Sequence, residues 1–316
     1  MTLPNFFIVG APKAGTDELY YQLDQHPQIY MSPLKEPCFF SSEVRVENFE
    51  ANLQPQAHIA AESLREYLES GMPGKRFGGI ISSLPDYERL FLRAKDEAAV
   101  GEGSVCYLWS RSAASAIASM IPQARIIIIL MDPAERAFHQ YLKSLSDGNV
   151  THSFRTHVEL ALRDKREKMS VYHPFLEFGN YAEQIRRYMA RVPAEQIHIS
   201  LYEDRQADPV GWFKSILRFL GVDDAFMPHP VESPSKPHFE RPNALGSAVK
   251  LLKRKPAVGR WVPAPLRSKI KRHLYAGEER FTCAPEDRAM LIHFYQEDIL
   301  ELRQILGRDL SGWLQY

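Results

Sequence analysis

Phe6-Phe7-Ile8-Val9-Gly10-Ala11-Pro12-Lys13-Ala14-Gly15-Thr16 is the stretch that decides the fold. The apolar run Phe6–Val9, closed by turn residues, reads as a strand buried on both faces. The turn Gly10–Gly15 breaks it, and a helical pattern follows from Thr16 to about Gln25. Strand, glycine-rich turn and helix start together form an anion cradle. The N–H groups of a first helical turn point outward, and the helix dipole favours negative charge there. The Gly10 to Gly15 spacing is that of an ATP-binding P-loop, but such a loop carries its lysine after the second glycine. Here Lys13 precedes Gly15. A P-loop kinase-like phosphotransferase is therefore the weaker reading, and a tight turn with a solvated lysine is the plainest one.

Outward from this loop, Arg125–Leu130 reads as a second buried strand and Ile197–Leu201 as a third. Asp132-Pro133-Ala134-Glu135 supplies an N-cap, a proline at the first helical position and a glutamate two residues on, so a helix should run to about Ser146. An aspartate at a strand end is also where a P-loop enzyme holds magnesium, but capping is the simpler reading of Asp132. A helix is expected from Pro209 to Leu220, stopped by Gly221. Strands alternating with helices imply an α/β fold, a P-loop-like parallel sheet flanked by helices. One domain over residues 1–316 is expected, with a helical, loop-rich insertion at about 44–95 and a basic, lid-like segment at about 228–273. Pro285 to Leu306 has the pattern of an amphipathic helix that packs on the core.

The 316 residues carry 39 Lys+Arg and 39 Asp+Glu, so no uniformly basic surface exists to coat nucleic acid or membrane. Hydrophobic residues at 45% and charged residues at 25% exclude a disordered chain. Neutrality hides one asymmetry: residues 235–273 hold eleven Lys and Arg against the single acid Glu240. No aromatic stacking pattern accompanies them, so a nucleic-acid partner is not expected. Cys38, Cys106 and Cys283 are odd in number and lack metal-ligand spacing, so neither a disulfide scaffold nor a metal site is expected. No apolar run approaches the ~18 residues of a membrane span. No leader peptide is evident, and a cytoplasmic location is the expectation.

The run Phe7–Thr16 resembles the 5′-phosphosulfate loop of sulfotransferases that use 3′-phosphoadenosine 5′-phosphosulfate (PAPS). The resemblance continues, in order, through His26-Pro27, Lys35-Glu36-Pro37-Cys38-Phe39-Phe40 and Gly101-Glu102-Gly103-Ser104. Asp132-Pro133, Glu135-Arg136-Ala137, Gly179-Asn180-Tyr181, Tyr202-Glu203-Asp204, Phe219-Leu220-Gly221 and Trp313 extend it over nearly the whole chain. The ordered set is closer to the heparan-sulfate-type and bacterial branch than to the cytosolic aryl type. It implies the sulfotransferase fold, PAPS as donor and a hydroxyl or amine acceptor, on a glycan or a secreted metabolite.

The resemblance further implies that the loop Lys13, Ala14, Gly15, Thr16 and Asp17 faces the donor's phosphosulfate. It makes Glu36, three residues before Phe39, the catalytic base. The chemistry agrees independently, because an acceptor must lose a proton as it attacks sulfur and a carboxylate can take it. Lys13 and the loop amides can stabilise the leaving phosphate. Some positions depart from the pattern. Met131 and His139 stand where an arginine and a serine usually hold the donor's 3′-phosphate. Gly103 replaces a frequent lysine, and Asp17 is an acid where a hydroxyl or basic residue is common. His139, Lys236 and Arg241 are the candidate compensators for the 3′-phosphate. These departures also fit a non-catalytic relative with a degenerate nucleotide site.

Overall fold

Isoleucine-rich and aromatic segments form the centre of a parallel sheet in the computed structural model, which describes residues 3–164, 168–231 and 283–315. The strands are β1 (Phe6–Gly10), β2 (Ile29–Met31), β3 (Leu34–Lys35), β4 (Arg76–Phe77), β5 (Ala99–Gly103), β6 (Arg125–Leu130) and β7 (Ile197–Leu201). Five of them pair in the order β2-β5-β1-β6-β7, and every pairing is parallel. β1 is buried at all five positions and β6 at five of six, as strands covered on both faces require. β3 and β4 form a separate parallel pair.

The helices are α1 (Thr16–Leu23), α2 (Gln54–Glu69), α3 (Leu84–Arg89), α4 (Cys106–Trp109), α5 (Ala113–Met120) and α6 (Pro133–Ser146). α7 (Phe154–Arg163), α8 (Tyr181–Met189), α9 (Tyr202–Ala207), α10 (Pro209–Leu220) and α11 (Pro285–Leu306) follow. α6 starts as expected: the Asp132 carboxylate accepts from the Ala134 N–H at 2.8 Å. Glu135 turns outward to Arg288 of α11 at 3.2 Å instead of closing a capping box. α10 ends at Gly221, whose φ of 72° is the left-handed stop that glycine provides cheaply. α11 packs on α6 and α8, and its Asp298 accepts from the first N–H groups of α8, Tyr181 at 2.8 Å and Ala182 at 3.0 Å.

Residues 44–95 hold α2, α3 and β4. The basic segment from 232 onward, with Lys236 and Arg241, lies outside the described residues. Among the described residues no helix is long and apolar enough to cross a membrane, and no group of three His, Cys, Asp or Glu is placed to hold a metal ion. From β1 the chain builds first to one side (β2, β5) and then to the other (β6, β7). The order therefore reverses at β1, and in open parallel sheets ligands sit beyond the carboxyl ends of the strands at such a switch point. The loop after β1 is the anion cradle.

Candidate active site

The turn after β1 is built from unusual backbone. Lys13 has φ 71° and Gly15 has φ 90°, both in the left-handed region. The φ of Gly15 is what requires glycine there; a Cβ would also stand 2.8 Å from the Arg205 guanidinium, the mobile end of a long side chain that can give way. Gly15 caps α1 without any side-chain hydrogen bond, which leaves the first-turn amides to a ligand or to water. Lys13 is half-buried beside them. Burial pushes its ammonium below the ordinary lysine range, Lys143 adds to that push, and Asp17 and Glu36 oppose it. His139, on α6, is half-buried close by. Burial and then the Lys13 charge hold its imidazole below the usual histidine value.

Glu36 enters from the opposite wall, directly after β3. Its Oε2 accepts from the Val105 N–H at 3.0 Å, and Oε1 lies 3.5 Å from the Lys35 ammonium. Burial raises the Glu36 carboxyl above the ordinary carboxylate range, although Lys35 and the Val105 N–H pull it down. Lys35 is itself 1% exposed, and Asp17 of α1 stands 2.6 Å from its Nζ. Burial alone would lower the Lys35 ammonium, but Glu36 and Asp17 together hold it above its ordinary range. Asp17 thus lies on the cradle helix but spends its charge on Lys35.

A buried network lies behind Glu36. Glu102 of β5 is inaccessible to solvent and accepts from three hydroxyls: Tyr87 at 2.9 Å, Tyr107 at 2.8 Å and Ser104 at 2.8 Å. Burial lifts its carboxyl to about 7 against those three donors. Ser104 Oγ also accepts from the Cys38 N–H at 3.1 Å, tying the chain after Glu36 to β5. Phe39 stacks on Tyr87 at 4.3 Å, and Phe40 meets Phe7 edge-on at 5.6 Å. The Phe-Phe pair therefore anchors the segment that presents Glu36. Cys38 and Cys106 are free thiols 3.3 Å apart, a neighbour relation that their sequence separation concealed.

Several other motif residues turn out to be structural. Asp132, capping α6, also pairs with Arg288 at 2.6 Å, so it is engaged by protein rather than set to bind magnesium. Arg136 is fully buried and donates to the Phe175 carbonyl at 2.6 Å and to Gln140 at 2.5 Å. Met131 is buried and its carbonyl accepts from the Tyr181 hydroxyl at 3.0 Å. His26 has both ring nitrogens occupied, one by the Asp223 carbonyl at 2.9 Å and one by the Gln28 N–H at 3.1 Å.

Arg205 and Tyr202, one on each side of Glu203-Asp204, border Gly15 from the end of β7. Arg205 pairs with Glu18 of α1 and lies over the Tyr202 and Trp212 rings. Sequence reading missed Arg205 because nothing local marks it; only the parallel sheet brings the end of β7 to the end of β1.

The fold and this crevice define an α/β protein that offers an anion a glycine-rich loop, a desolvated lysine and, on the facing wall, an oriented carboxylate. Residues 4–226 match the model of the sulfotransferase family, and the chain belongs to that family, whose sulfuryl donor is PAPS. A sulfotransferase from Alicyclobacillus acidocaldarius has the same fold over 100% of both chains, with a TM-score of 0.70 and 27% identity. Bifunctional heparan sulfate N-deacetylase/N-sulfotransferase 4 of Mus musculus is 26% identical over 99% of this chain, which matches 31% of that protein. The Drosophila melanogaster bifunctional heparan sulfate N-deacetylase/N-sulfotransferase is 25% identical over 70% of this chain and 20% of its own. Carbohydrate sulfotransferase 15 of Homo sapiens is 23% identical over 70% of this chain and 44% of its own. The chain therefore corresponds to less than half the length of each of these three relatives. Family membership sets aside the kinase-like reading.

Proposed function

We propose that this chain transfers the sulfuryl group of PAPS to a hydroxyl or amine of a glycan, with Glu36 as general base and Lys13 as the electrostatic stabiliser of the leaving group. The observation that carries the reading is the placement of Glu36. Its carboxylate is fixed by the Val105 N–H, is 17% exposed, and lies near enough to Lys13 for the two charges to act on each other. A carboxyl lifted by burial is a stronger base than a solvated one, which suits the capture of an acceptor proton. Glu36 takes the proton from the acceptor O–H or N–H as that atom forms its bond to sulfur. The bond between sulfur and the phosphate oxygen breaks on the opposite side, and the electron pair leaves with the phosphate. Lys13 and the uncapped amides of α1 stabilise the charge that develops there. The transfer resembles phosphoryl transfer in resting on positioning and electrostatics.

A glycan acceptor is supported by the relatives, whose names specify heparan sulfate and carbohydrate substrates. The test is transfer from radiolabelled PAPS across a panel of desulfated heparan and chondroitin chains, simple sugars, amines and phenols. We expect label on a glycan, with one 3′-phosphoadenosine 5′-phosphate (PAP) released for each sulfate transferred. Label confined to phenols or small amines would overturn the glycan assignment. Tight PAP binding with no transfer to any class would favour a non-catalytic nucleotide-binding protein.

A further inference from the structure

Lys35 is a buried lysine with carboxylates on two sides. Its ammonium is 2.6 Å from Asp17, on the first turn of α1, and 3.5 Å from Glu36, at the end of β3. The Tyr20 and Phe77 rings stand 5.9 Å and 5.4 Å from it and help to keep water away. Its stem fills the space above Gly103, where a Cβ would meet the Lys35 Cε at 3.6 Å. A lysine 1% exposed needs a counter-charge, and here the nearer one is not the base.

We propose that Asp17 and Lys35 are positioning residues that act as a counter-ion relay, orienting Glu36 and keeping it basic enough to capture the acceptor proton. This rests on the reading of Glu36 as the general base. With all three groups ionised, the cluster carries one net negative charge in a poorly solvated wall. Proton capture by Glu36 leaves a neutral Asp17–Lys35 pair behind, so the captured proton removes a buried net charge. Without the Asp17 charge, Lys35 would neutralise Glu36 directly, and proton capture would strand a buried ammonium. Asp17 thereby answers the question its position raises. An acid in an anion-binding helix turn opposes a ligand, but here its charge is already matched by Lys35.

The other groups that face Glu36 must be counted in any pH effect. They are Lys13 on the cradle loop, Glu102 of β5 and the Cys106 thiol of α4. None of them changes in the variants below, so their contribution is common to all.

The experiment is the pH profile of kcat/KM for wild type, Asp17→Asn, Lys35→Met and the double variant, with Glu36→Gln as reference and PAP affinity measured for each. We expect the acid limb of Asp17→Asn to move down by about one pH unit, with a plateau roughly tenfold lower. Lys35→Met should move the limb up by about one unit, because Asp17 and Glu36 then repel. The double variant should lie between the singles, a rescue that a packing defect would not give. It also covers the case of a single variant that fails to fold, since removing both partners of a buried pair is often tolerated. An acid limb unmoved in all three variants, with Glu36→Gln inactive, overturns the relay alone. Full activity in Glu36→Gln overturns the base assignment itself.

Discussion

The two walls of the crevice are charged by opposite rules. On the cradle wall, Lys13 is desolvated beyond what nearby acids offset, and the first amides of α1 have no side-chain cap. His139 beside it is held below the usual histidine value by burial and then by Lys13. This wall has spare positive potential and suits an incoming anion. On the facing wall, Lys35 is saturated by Asp17 and Glu36, and Glu102 is satisfied by three hydroxyls. That wall carries one carboxylate more than it has ammonium groups to match, and suits proton exchange, in which that charge appears and disappears on one carboxyl. The difference teaches that net charge says little about such a site: what matters is which charges are already spent.

The largest expected effect breaks one wall and spares the other. Glu36→Gln should lower turnover by ~10²–10⁴ while PAP affinity stays within a few-fold of wild type. Turnover and calorimetry on the same preparation check this. A parallel loss of PAP affinity would show that the two walls are not separate. Lys13→Ala is the mirror experiment. Turnover should fall by ~10²–10³ and PAP binding should weaken with it, because the same charge serves donor and leaving group. Unchanged PAP affinity in Lys13→Ala would remove the cradle from the donor site.

The walls also differ in how far they could be read from sequence. The cradle is local: strand, turn and helix start are contiguous, and β6, β7, α6, α10 and α11 kept their expected bounds because apolar runs and end signals mark them. The acid–base wall is assembled from distant pieces. β5 went unread because Gly101, Glu102 and Gly103 have little strand propensity. The fold nevertheless needs Gly101, since a Cβ there would fall 2.1 Å from the Phe6 ring. Glu36 was visible only through its motif. Its Lys35 and Asp17 partners were visible as letters, but their pairing depends on β3 passing beside α1, and no periodicity encodes that. Glu102 is similar, because its three hydroxyl donors come from α3, α4 and the turn after β5.

A smaller effect concerns stability and belongs to the acid–base wall alone. Glu102 has its carboxyl lifted by burial from the ordinary 4.5 to about 7. The native state therefore binds more protons than the unfolded chain between those values. Stability should fall as pH rises from about 4.5 toward 7 and level off above, by up to a few kcal/mol in total. Glu102→Gln should flatten that slope without changing PAP affinity. Thermal unfolding from pH 5 to 8 checks it, and an identical slope in the variant would assign the pH dependence elsewhere.

The smallest effect probes the spare potential of the cradle wall. His139 is held below its usual value by burial first and Lys13 second, so it is neutral near pH 7 in the free protein. A phosphate brought to that wall offsets the Lys13 charge and favours the imidazolium, so binding takes up a proton. By linkage, PAP affinity should then rise as pH falls from 7.5 to 6, by no more than roughly tenfold. Protonation of the phosphates of PAP opposes this gain, but it does so equally in every variant and cancels in a comparison. His139→Gln should therefore lose the gain at pH 6 and bind almost as wild type does at pH 8. Parallel affinity curves for the two proteins across that range would place His139 outside the anion's reach, and the cradle would then end at Lys13.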